Sequence, residues 1–164
     1  MITLTKIKTA GGEETPRFDA VLNWHGAPVA LVSNAGHGGA CHVLWQTKLN
    51  GPPTPMLTRT AVLRAALELA QREEPELFAA AGPMTALDYV LVSEVWTERL
   101  VRSLDRTVKK SVAFRAPGQA PGTYYTTRGP LTPALRAEIH RRHPGATILN
   151  DLSPRERAAI VRAS

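Results

Sequence analysis

Apolar and polar residues alternate with a period of two in the first third of the chain and with a helical period after a run of prolines. Residues 2–9 alternate loosely and are rich in Thr and Ile, which predicts a first strand. Gly11-Gly12-Glu13-Glu14-Thr15-Pro16 reads as a loop. From Phe18 the alternation sets Phe18, Ala20, Leu22 and Trp24 on one face and Asp19 and Asn23 on the other. His25-Gly26-Ala27-Pro28 is a turn, from which Val29 to Val32 return as the partner strand. A glycine-rich connection, Asn34 to Ala40, leads to a further strand from Cys41 to Gln46. The expected product is an antiparallel meander of three or four strands.

Gly51-Pro52-Pro53-Thr54-Pro55 is stiff and extended, and it is the best candidate for a sub-boundary within one domain spanning 1–164. A helix is expected from about Arg59, with Val62, Leu63, Ala66, Leu67 and Ala70 as its apolar stripe, ended or kinked by Pro75. Thr85 and Asp88 have the spacing of a capping box, which predicts a second, longer helix reaching about Lys109. Val112–Arg115 and Thr123–Arg128 read as a hairpin around the tip Pro117-Gly118-Gln119-Ala120-Pro121-Gly122. Thr132-Pro133 opens a helix that His143-Pro144-Gly145 ends, and Ala146 to Leu149 can form a strand. Ser153-Pro154-Arg155-Glu156 is a capping box for a last short helix. The fold class is α+β: an N-terminal sheet, two central helices, then a basic hairpin and short helices.

Composition narrows the class. The 164 residues, 43% hydrophobic and 21% charged, are those of a globular chain able to bury a core. No apolar run reaches the ~20 residues that a membrane helix needs, and the N-terminal residues carry no secretory pattern. Cys41 is the only cysteine, so no disulfide can form within the chain. Together these point to the cytoplasm and to no membrane partner.

Charge changes the picture most. Residues 1–94 carry 7 Lys/Arg against 9 Asp/Glu, whereas residues 95–164 carry 13 against 5. Such asymmetry points to a polyanionic partner, most often nucleic acid. On the second helix, Glu94, Glu98 and Asp105 fall within about 40° of one another. They read as ion-pair partners, Glu98 to Arg102 and Asp105 to Lys109, rather than as a metal site. The cations Arg99, Arg102, Arg106, Lys109 and Lys110 continue into Arg115, Arg128, Arg136, Arg141 and Arg142, with Tyr124 and Tyr125 among them. Cations offer phosphate contacts and exposed tyrosines offer stacking faces. The leading expectation is a nucleic-acid-binding protein with little sequence selectivity, since no sequence-reading motif is present. The alternative is an interaction module of a phage or mobile element that docks on an acidic host protein.

A third reading concerns Asn34, Gly36, His37, Gly38, Gly39 and Cys41. His37, Cys41 and His42 have zinc-ligand chemistry, and Cys41 with a histidine could form a thiol nucleophile, but the spacing fits no zinc or protease signature. A small buried cysteine after a glycine turn is the simpler account, so neither catalytic nor metal residues nor a cofactor are expected. The run Val32-Ser-Asn-Ala-Gly-His-Gly-Gly-Ala-Cys41, preceded by Glu13-Glu14-Thr15, resembles a segment in small uncharacterised proteins of bacteria, phages and plasmids. Ala146-Thr-Ile-Leu-Asn-Asp151 is similar to another of their segments. The resemblance implies no activity, cofactor or partner.

Overall fold

In the computed structural model the alternation after Phe18 becomes a strand because one face has something to pack on. The structure describes residues 1–11, 14–47, 52–120 and 122–162. The loop and linker positions Gly12, Glu13, Gly51 and Pro121 lie outside the described residues. Two compact units are present, residues 1–96 and 97–164.

In the first unit, β1 (Ile2–Ala10), β2 (Arg17–Trp24), β3 (Ala27–Asn34) and β4 (His42–Trp45) form an antiparallel sheet in sequential order. The β2–β3 connection is shorter than the expected four-residue turn. Trp24 pairs with Ala27, and His25 and Gly26 both take positive φ, 49° and 84°. That is the mirror-image turn whose twist matches two antiparallel strands. Helix α1 (Met56–Glu73) follows, then the short α2 (Pro75–Phe78) and α3 (Pro83–Thr107). Phe18, Ala20 and Leu22 of β2 share one core with Val62 and Ala66 of α1 and with Leu87, Leu91 and Val95 of α3.

Asn23 shares the face of Thr5 and Val21, opposite Leu22, as the alternation expects, and it is buried there because its amide donates to Thr5 Oγ1 at 2.9 Å and to the Val21 carbonyl at 3.0 Å. Two local expectations are corrected. Helix α1 begins at Met56, three residues before Arg59. The Thr54 amide is bonded to the Gln46 carbonyl, and the buried Thr54 hydroxyl donates to the Val29 carbonyl. Thr54 therefore ties the chain just before α1 to the sheet, within the first unit. Helix α3 opens at Pro83 rather than at a Thr85 cap. Proline suits the first helical turn, and the Ala86 amide already bonds to the Gly82 carbonyl at 3.1 Å. Asp88 is then inside the helix and free to serve another element.

The second unit holds β5 (Ser111–Arg115), β6 (Tyr125–Arg128), α4 (Pro133–Arg142), β7 (Thr147–Ile148), a 3₁₀ turn over Leu149–Asp151 and α5 (Pro154–Arg162). The strand order is β6-β5-β7, all antiparallel. Strand β5 is buried on both faces. Ala113 packs with Val101, Leu104, Leu149 and Val161, while Val112 and Phe114 pack with Ile139, Ala146 and Ile148. Both expected caps form: Thr132 Oγ1 accepts from the Leu135 amide at 3.2 Å, and Ser153 and Glu156 exchange bonds at 2.7 and 3.3 Å.

The strand expected over 146–149 stops at Ile148, because Asn150 replaces the rest of the ladder with its side chain. Its Oδ1 accepts from the Ala113 amide at 2.7 Å, and its Nδ2 donates to the carbonyls of Val108 and Ser111, both at 2.9 Å. Ala113 is fully buried, so losing this acceptor leaves an orphaned amide. Asn150→Ala is expected to lower stability by about 2–4 kcal/mol, from one orphaned buried donor and two missing bonds. Denaturant unfolding followed by circular dichroism measures this, and an unchanged midpoint would remove Asn150 from its bracing role.

Candidate nucleic-acid interface and glycine loop

Every cation and tyrosine singled out for phosphate or base contact lies in residues 97–164, so one unit carries them all. The structure separates them by what holds them. Arg102 donates to Glu98 at 2.9 Å, the i,i+4 pair expected from the helix. Arg136 forms a two-pronged pair with Asp151, one bond measuring 2.9 Å. Arg141 and Arg142 both grip Glu138, whose carboxyl they hold down at about 2. The bond from Arg136 likewise keeps Asp151 below the usual carboxylate range.

The expected Asp105–Lys109 pair does not form. Asp105 accepts instead from Arg157 of α5, at 2.7 Å. Arg157 is buried and also donates to the carbonyls of Leu149 and Leu152. A guanidinium with several fixed donors is better satisfied there than a lysine on the helix surface. Glu156 is occupied at its cap. All five carboxylates of the unit are thus used within it.

The remaining cations divide further. Arg99 is half-buried, Arg106 donates to the Arg102 carbonyl, and Arg115 donates to the Gln119 carbonyl across the hairpin tip. Lys109, Lys110 and Arg128 are exposed, as are Arg106 and Arg155. Ser111 pairs with Arg128 in the β5–β6 ladder, so the two lysines just before Ser111 and the arginine of β6 meet at one end of it. A cleft of about 380 Å³ opens there, lined by Lys109, Lys110, Ser111, Gly129, Leu131 and Asn150.

The two tyrosines part company. Tyr124 precedes β6 and is half-buried against the cluster of Val101, Leu104 and Val161. Tyr125 is 48% exposed. Its ring stacks on His143 at 5.3 Å and lies 5.4 Å from Phe114, its cross-strand partner. His143 and Phe114 are themselves 5.2 Å apart.

The glycine loop between β3 and β4 is organised by Asn34, which is buried. Its Oδ1 accepts from the Gly36 amide at 2.8 Å and from the Thr15 hydroxyl at 2.9 Å, and its Nδ2 donates to the Gly39 carbonyl at 2.9 Å. Gly36 takes a φ of 89°, the left-handed region glycine favours. His37, Gly38 and Gly39 are exposed. Cys41 is buried while His42 faces out, as adjacent strand positions require. The Cys41 amide donates to Asp88 Oδ1 at 3.0 Å, and Asn34 Nδ2 lies 3.6 Å from its sulfur. Burial, with smaller contributions from Asp88, pushes the thiol up to about 11 despite the opposing bond from Asn34. Burial also raises Asp88. This is the environment of a protonated, structural thiol and not of a nucleophile. Beside the loop, Arg17, Asp19, Ser33 and His37 line a cleft of about 350 Å³.

Among the described residues, no group of three or more His, Cys, Asp and Glu side chains is placed to hold a metal ion, and no helix is long and apolar enough to cross a membrane. Arg157, Asp88 and Asn150 act over separations of 37 to 52 residues; no local pattern marks Arg157 or Asn150, and the one that marks Asp88 assigns it a different role. Comparison with protein-family models, curated proteins and solved structures gives no match.

Alkylation needs the thiolate, and at pH 8 a thiol of this kind holds only about one in 1,000 molecules in that form. Iodoacetamide is expected to modify Cys41 slowly in the folded protein and rapidly in denaturant, with the folded rate rising about tenfold per pH unit towards 11. Fast labelling at pH 7, read by intact mass, would contradict this placement of Cys41.

Proposed function

We propose that residues 97–164 bind nucleic acid through phosphate contacts, with little preference for sequence. The observation that carries this reading is the gathering of Lys109, Lys110 and Arg128 at one ladder end beside one cleft, where none of the unit's five carboxylates, all used elsewhere within it, compensates them. Arg106 and Arg155 are exposed as well but are not part of this group. Cations at a helix C-terminus also complement the helix dipole, and that alone accounts for Lys109 and Lys110 after α3. It does not account for Arg128, which arrives from β6. Three cations from two elements at one ladder end suit a run of phosphates. Arg136, Arg141 and Arg142, each bound to a carboxylate, contribute less to such binding than their number suggests.

Binding of labelled oligonucleotides across a salt series tests the reading. The native protein is expected to bind unrelated sequences with similar affinity and a steep negative dependence on salt. Lys109→Ala/Lys110→Ala/Arg128→Ala is expected to weaken all of them alike and to reduce the slope by about three, near one for each phosphate no longer neutralised. Arg141→Ala should leave the slope nearly unchanged. No binding by the native protein at physiological salt would overturn the proposal and redirect attention to an acidic protein partner.

A further inference from the structure

Arg128 and the exposed tyrosine occupy opposite faces of the same edge strand, and this restricts the ligand. Residues paired across an antiparallel ladder share a face, and successive residues alternate. Arg128, paired with Ser111, therefore lies on the Ala113 face of the sheet, whereas Tyr125, paired with Phe114, lies on the Val112 and Phe114 face. They are three positions apart, about 10 Å at ~3.3 Å per residue. Strand β6 ends the sheet, so only its own width stands between the two faces. Tyr125 is held by two ring neighbours, His143 and Phe114, yet nearly half of it is exposed.

A duplex is stiff over about 150 base pairs and keeps its bases stacked inside. It can lie along Lys109, Lys110 and Arg128, but it offers no base to a ring on the other face without unpairing. An unpaired strand can bend around β6 and present a base to the tyrosine. We infer that the ligand of residues 97–164 is single-stranded nucleic acid, with phosphates on Lys109, Lys110 and Arg128 and one base stacked on Tyr125. This rests on the phosphate-binding reading above and adds to it a strand preference and a stacking site.

The test compares one labelled sequence as a single strand and as a duplex, using the full chain. The native protein is expected to prefer the single strand. Tyr125→Leu is expected to weaken single-strand binding by about 5- to 150-fold, the usual range for removing one stacked base. Duplex affinity and the salt slope should stay as they were, because no charge is removed. Tyr125→Phe keeps the ring and should bind like the native protein. A loss of folding in Tyr125→Leu would depress both ligands together, so photo-cross-linking of the native protein to a strand carrying 5-iodouracil provides a second measurement. The adduct is expected on the tryptic peptide ending at Arg128, at Tyr125.

Equal affinity for both forms, or an adduct elsewhere, overturns the inference. So does Tyr125→Leu binding the strand as well as the native protein does, while the triple Lys/Arg variant fails to bind; that result keeps the phosphate reading. A native protein that binds neither form overturns both.

Discussion

The second unit depends on one side-chain amide completing a sheet that its backbone leaves unfinished. Strand β7 is two residues long and cannot satisfy the strand beside it. Asn150 supplies the missing acceptor to Ala113 and the missing donors to Val108 and Ser111, so it fixes the end of α3, the start of β5 and the chain before α5 at once. A neutral amide suits this position because it offers both acceptor and donors. Asn34 plays a parallel part in the first unit, where it gathers Thr15, Gly36 and Gly39 around the entry to β4. In both places one planar group substitutes for a length of regular ladder.

The same economy governs charge. With few carboxylates to set against many cations, the second unit commits each to a defined structural bond: the Glu98 and Glu138 pairs on helix surfaces, Asp151 on α4, Asp105 on the buried Arg157, Glu156 on a helix start. The exposed pairs contribute little to stability individually. Their larger effect is selective, since they mute some arginines and leave the cations at one end of β5 and β6 unmuted.

What could be read from the sequence was what short range decides. The alternation from Phe18 to Trp24, the apolar stripe of Val62, Ala66 and Ala70, the caps at Thr132 and Ser153 and the Glu98–Arg102 pair each involve residues within a few positions of one another. Each appears in the structure. The misses were decided by distant partners. Asp88 fits a cap signature locally, yet its carboxylate is taken by the Cys41 amide 47 residues away. Asp105 has a lysine at the favoured spacing, but Arg157 reaches it from a later helix. Tyr124 and Tyr125 are identical in kind and adjacent, and only the point where β6 begins sends one into the core and the other outward. For the same reason, Arg128 and Tyr125, three positions apart on one strand, lie on opposite faces of it.

The open flank of β6 has a consequence for how copies of the molecule behave at high concentration. A free strand edge is a template on which another chain can add, and that route leads to fibrils. Here the template is four residues long, carries an exposed arginine at its end and is followed at once by Gly129-Pro130, which cannot extend it. The strand is too short and too charged to seed stacking of its own kind. The edge therefore stays open without making the protein prone to aggregate through it.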